Sequence, residues 1–309
     1  MSHAIALASP DTPLRPANGP PPRGIAAKVA ALLERPDNEL DYLEAKLAFD
    51  ALIDPSLDAE AARTEVRRLT EEARRIAGAA ADDARRVAAL RNVLYQAGPW
   101  NDDRPFAYDP DDPEGARIAN KLLANYLSRR LGQCVSMPIL FLLIGERLGL
   151  DVSLALAPSH IFVRHRLPDG RTANLETTSG GHPARAEWIR ATFPMSGRAI
   201  ESGLYLRSLG PREAVVVMAG IVLEHLADQG RLEEAEATAA LLLRHAPRDL
   251  HAMLTLATVR ARMLQRDFLS RYRSPFLIPA ALRPRYARLT QSNRTLFAAA
   301  EALGWKERR

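Results

Sequence analysis

Residues 132–150 read GQCVSMPILFLLIGERLGL, and they join the only cysteine, Cys134, to the most apolar run of the chain. Pro138 is compatible with a helix only near its start, because proline lacks the N–H and clashes one turn back. The stretch therefore predicts a buried helix from about Val135 or Ser136 to Leu148, with Gly149 past its end. The unpaired N–H groups and the positive dipole end of that helix favour a thiolate at Cys134. A lone cysteine is also commonly a small buried hydrophobe, so position alone does not assign it chemistry.

After Leu150 the apolar period changes from about 3.6 to 2. DVSLALA and HIFVRHR read as strands, LPDG as a turn, and RTANLETT as a third strand. A turn of this type, with glycine in the left-handed position, pairs Leu167 with Arg171. Counting back along both strands sets Phe162 opposite Glu176 and His160 opposite Thr178. His160 and Glu176 then share a face as diagonal neighbours, and a slip of one residue would separate them. His165 falls on the opposite face by parity. His182, in the loop SGGHP, is a lesser rival to His160, and Asn174 shares the face of Glu176 as a lesser candidate for orienting the base.

Cysteine, histidine and carboxylate in this order supply a nucleophile, a base within reach, and a group that fixes the base's tautomer. The segments Gly132-Gln133-Cys134, Pro158-Ser159-His160-Ile161-Phe162 and Leu175-Glu176-Thr177-Thr178 resemble the transglutaminase-like cysteine-peptidase superfamily. Glu176 stands in that family's aspartate-x-threonine segment. From about Leu40 to Phe193 the chain further resembles the SirB-type branch, whose members usually carry glycine where Ser159 stands here. The resemblance implies an α+β fold with a helical N-terminal region. Its core would be a cysteine helix on a small antiparallel sheet, with a helical, repeat-like C-terminal domain behind. It implies catalytic roles for Cys134, His160 and Glu176, while the sequence shows no metal cluster, Walker-type glycine loop or dinucleotide fingerprint, so no cofactor and no metal are expected. The backbone N–H of Cys134 is the expected oxyanion donor, with Gln133 as a second.

Around this centre the chain reads as ordinary globular protein: 309 residues, 47% hydrophobic and 26% charged. One cysteine excludes an internal disulfide and suits a reducing cytoplasm. No apolar run reaches membrane-spanning length, and the first residues lack a secretory pattern, so no membrane association is expected. Residues 1–23 hold six prolines and predict a disordered tail. Residues 24–205 form the expected helical region and core, and residues 206–309 a helical domain.

Before the cysteine, helices are expected over Leu40–Ile53 (capped by Asp37 or Asn38), 58–77, 82–96 and 116–130. Between them, residues 98–115 form a proline- and aspartate-rich loop. Gly230, Ala235 and Pro247 have the spacing of a tetratricopeptide repeat, a possible protein-docking surface. Loops are expected near 274–279 and Pro284, then a last helix over 290–303. From Arg260 onward twelve Lys/Arg face three Asp/Glu, which reads as a solvated basic surface rather than a nucleic-acid site. Two functions remain open: acyl transfer on a peptide or amide, with water or an amine as acceptor, and a non-catalytic scaffold that binds protein partners.

Overall fold

The computed structural model describes residues 22–307, so most of the expected N-terminal tail lies outside the described residues. The fold is mixed α/β, mainly helical, with a small antiparallel sheet. The first half comprises α1 (Gly24–Leu33), α2 (Tyr42–Ile53), α3 (Ala59–Ala77), α4 (Asp83–Tyr95), β1 (Ala107–Tyr108), α5 (Leu123–Arg129) and β2 (Leu131–Gly132). The cysteine helix is α6 (Ser136–Arg147), followed by β3 (Val152–Ala157), β4 (His160–Arg166), β5 (Thr172–Glu176) and β6 (His182–Ala184). The remainder is α7 (Ala186–Thr192), α8 (Gly197–Glu201), α9 (Pro211–Asp228), α10 (Leu232–His245), α11 (Leu250–Leu264) and α12 (Arg283–Ala302).

Helix α6 is the centre of the core. Every residue from Ser136 to Gly145 is buried, and the helix packs on α3, α4, α5, β3 and β4. Pro138 sits in its first turn, and Gly149 adopts φ 77° just past its end. β3 to β6 pair in sequence order as an antiparallel meander. Leu154, Val163 and Leu175 point to α6, while Ala155, Ala157 and Phe162 pack on Ile189 of α7. The β4–β5 register is the expected one, with Val163 opposite Leu175 and Arg164 opposite Asn174. β6 and the short parallel pair β1–β2 were not expected, being too brief to carry a period-2 signal. Helices α9 and α10 pack on α2 and α1, so one core runs from the N-terminal helices into the C-terminal ones.

Three expectations are corrected. Asp41, not Asp37 or Asn38, caps α2 by accepting the N–H groups of Leu43 and Glu44 at 2.8 and 3.0 Å. The last helix begins at Arg283, with Pro284 in its first turn. The helix expected over 116–130 is broken at Leu122 into a 3-10 turn and α5. The cause is a buried ion pair on α2. Lys46 and Asp50 are salt-bridged, Lys46 Nζ donates to the Lys121 carbonyl at 2.8 Å, and Asp50 Oδ2 accepts the Leu123 N–H at 2.7 Å. These charges take the backbone groups that a continuous helix would use itself. Burial pulls the Lys46 ammonium down and pushes the Asp50 carboxyl up, each opposed by its partner.

Removing one member of such a pair strands the other in the core. Asp50→Ala is expected to cost about 3–5 kcal/mol in urea unfolding. The double change Lys46→Met/Asp50→Leu is expected to cost less than the single change. A single variant as stable as the parent would contradict this account.

Candidate active site

The site is built where the N-terminal end of α6 meets the β3–β4 turn. Gly132 leads into it with no room for a side chain: an added Cβ would lie 2.5 Å from the Tyr126 ring and 2.6 Å from Ser136 Oγ. Gln133 follows, fully buried, its N–H donating to Ser136 Oγ at 3.1 Å. Cys134 comes next, half-buried, one residue before the N-cap of α6. Its backbone N–H donates to no acceptor among the described residues.

On the sheet side, Pro158 and Ser159 form a two-residue turn between the paired residues Ala157 and His160. Ser159 adopts φ 57°. A left-handed residue after proline is where glycine is most at ease, which gives glycine at this position a physical reason. The Ser159 carbonyl oxygen lies 3.9 Å from Cys134 Sγ, bringing the turn against the thiol.

His160 opens β4 and is buried. Its Nε2 is 2.7 Å from Glu176 Oε2, and it lines the same cleft as Cys134, whose Sγ is held against the preceding residue, Ser159. With Nε2 occupied by the carboxylate, Nδ1 is the ring nitrogen that the carboxylate leaves open. The other oxygen of Glu176 accepts the Thr178 N–H at 3.0 Å and its hydroxyl at 2.6 Å. The carboxylate is therefore held at both oxygens, and the extra methylene relative to aspartate is absorbed without loss of contact. Phe193, which no sequence pattern marked, stacks on the imidazole at 4.3 Å between centroids and 13° between planes. Only its position after α7 brings it there.

Burial by itself pulls the His160 imidazole down. Its interactions with Glu176 and Cys134 outweigh that and raise it to about 9. Burial pushes the Glu176 carboxyl up, and His160 together with Thr178 brings it below the usual carboxylate range.

The remaining candidates lie elsewhere or are engaged. His165 is buried on the opposite face, 3.2 Å from Asp83 Oδ2 on α4, as parity requires. His182 is exposed and contacts the Arg91 guanidinium. The Asn174 amide donates to the Ala184 carbonyl at 3.2 Å, so it is spent on pairing with β6 rather than on His160. The Gln133 amide donates to the carbonyls of Asp109 and Asp112, fastening the 98–115 loop beside the thiol. That engagement takes both of its donors away from an oxyanion role. Among the described residues no group of three or more His, Cys, Asp or Glu is placed to hold a metal ion.

Cys134 and His160 lie on the lining of a cleft of about 850 Å³. Its opposite wall is formed by α9 and α11, far from the cysteine in sequence. No described helix is long and apolar enough to cross a membrane.

Because the His160 pKa is raised in the folded state, its contribution to stability is whole below pH 6.5 and is lost as pH rises through about 9. Urea unfolding is expected to show a decline across that window that His160→Ala lacks. Parallel declines in both proteins would contradict the assigned environment.

Comparison with known proteins agrees with this architecture. A UPF0162 protein of Xylella fastidiosa strain Temecula1 is 27% identical over 128 residues, covering 41% of this chain and 42% of the relative. A second UPF0162 protein, from Xylella fastidiosa strain 9a5c, is 28% identical over 105 residues, or 34% of each chain. The chain thus spans less than half the length of these curated relatives. No solved structure matches it. Residues 60–215, which contain Cys134, His160 and Glu176, match the family described as the transglutaminase-like superfamily, and the chain belongs to that superfamily, which includes cysteine-dependent enzymes.

Proposed function

We propose that this protein is a cysteine-dependent acyl-transfer enzyme acting on peptide or amide bonds. The observation that carries the proposal is that Cys134, at the head of α6, and His160, held by Glu176 at 2.7 Å, line one cleft. Cys134 gives its thiol proton to His160, its sulfur attacks the carbonyl carbon, and the carbonyl electron pair moves to oxygen, beside the free N–H of Cys134. As the tetrahedral adduct collapses, the C–N bond breaks and His160 gives its proton to the departing amine. The product is a thioester on Cys134. Water or a second amine then attacks the thioester while His160 takes its proton, giving hydrolysis or transfer. Glu176 holds the imidazole and favours its charged form throughout, with Phe193 fixing the ring plane.

On this reading residues 24–205 form the transglutaminase-like unit of the SirB type, and residues 206–309 are tetratricopeptide-like. Support for the second part lies in α9, α10 and α11 following one another with α10 packed on both neighbours. Gly230 adopts φ 69° between the first two, Ala235 is fully buried, and Pro247 follows α10. A surface of this kind also suits protein partners.

An activated ester bypasses the unknown substrate. With p-nitrophenyl acetate, intact-mass spectrometry is expected to show one acetyl group on Cys134. His160→Ala is expected to slow release of nitrophenol by about 10²–10⁴-fold. No acetylation of the folded protein, or acetylation unaffected by His160→Ala, would favour the non-catalytic scaffold.

A further inference from the structure

The cleft is much larger than the reacting atoms require. A volume of about 850 Å³ lies at the upper end for ligand sites, and a single carboxamide would leave most of it filled with water. Beyond Cys134 and His160 its lining becomes apolar. Val217 on α9, Leu250 and Leu254 on α11, and Met195 and Trp305 line the cleft and remain only partly buried. Partly buried apolar side chains converging on one cleft are surface left for a ligand to cover.

The less exposed charges on the same lining are already answered, while Glu114 and Lys306, which also line it, are solvent-exposed. Lys121 is salt-bridged to Glu224 across from the dyad, and Asp249 caps α11 by accepting the Ala252 N–H at 2.7 Å. Neither arrangement offers an unpaired charge to select an ionic side chain. One buried side-chain polar atom of the lining is unanswered among the described residues. Gln133 Oε1 belongs to a fully buried side chain and has no hydrogen-bond partner among the described residues. It lies beside Gly115, 3.7 Å from where a Cβ on that glycine would stand, and both residues line the cleft. Its amide nitrogen is fixed by two carbonyl acceptors, so the oxygen is an acceptor awaiting an N–H donor.

We infer that the cleft is an acyl-donor subsite for an apolar peptide segment, gripped by α9 and α11, with Gln133 Oε1 accepting a peptide N–H. This rests on the acyl-transfer reading and adds the substrate class to it. It gives the C-terminal helices the task of recognition, with the bond to be broken held at the Cys134 end.

The test uses the full chain and three reagents that share one reactive group. These are iodoacetamide, an N-iodoacetyl tripeptide amide of leucine, valine and phenylalanine, and the corresponding tripeptide of aspartates. The apolar reagent is expected to alkylate Cys134 with saturable kinetics, at least about tenfold faster than iodoacetamide, and the acidic one no faster than iodoacetamide. Leu254→Asp, or Thr255→Trp, which fills the cleft from the half-exposed side of α11, is expected to abolish that advantage. Equal rates for all three reagents at a thiol that still depends on His160 would overturn the subsite alone. If Cys134 reacts with none of them, the acyl-transfer reading fails. Calorimetric titration of the acetylated apolar tripeptide amide then decides the subsite by itself. Binding that Leu254→Asp removes supports it, and no binding overturns it.

Discussion

The candidate site depends on the pairing of β4 with β5. His160 and Glu176 are sixteen residues apart in sequence and meet at 2.7 Å only because their strands hold one register. That register is fixed at the other end of the hairpin. The Leu167 N–H donates to Arg171 at 2.7 Å, the Gly170 N–H to Leu167 at 2.9 Å, and Gly170 takes φ 83°. Asp169 accepts the Arg171 N–H at 2.9 Å and closes the turn. A slip of one residue would turn Glu176 to the α6 side of the sheet and leave a buried imidazole without its carboxylate.

The thiol is positioned by a second constraint of a different kind. Helix α6 is buried on every face, so its axis cannot tilt without disturbing α3, α4, α5 and the sheet together. Its head is tied down by Ser136 Oγ, which accepts from Gln133 N and donates to the Asn120 carbonyl at 2.8 Å. Asn120 belongs to the turn that ends at Lys121, whose carbonyl is held by Lys46. The buried pair on α2 and the thiol are thus linked through one short segment. Lys121 also reaches Glu224 on α9, so the same segment braces both walls of the cleft.

Much of this was legible in the sequence because it follows from short-range rules. Pro138 and Gly149 bracket α6, the Pro168-Asp169-Gly170 turn sets the register, and parity separates His160 from His165. What escaped is long-range. Nothing in residues 116–130 announces a break at Leu122, since its cause lies on α2, more than seventy residues earlier. Phe193 carries no motif and reaches His160 only through the placement of α7. Gln133 reads as an oxyanion donor until the carbonyls of Asp109 and Asp112 are seen to occupy its amide. The cleft itself has no sequence signature, because its two walls come from distant parts of the chain.

The account's central claim is that Cys134 and His160 act as a coupled nucleophile and base. The most direct measurement is the pH dependence of iodoacetamide alkylation at Cys134 in the parent chain and in His160→Ala. A thiol that reacts rapidly well below pH ~8.5, and loses that reactivity in the variant while the fold is retained, is the predicted result. A thiol inert until unfolding, or equally reactive without the imidazole, would contradict it.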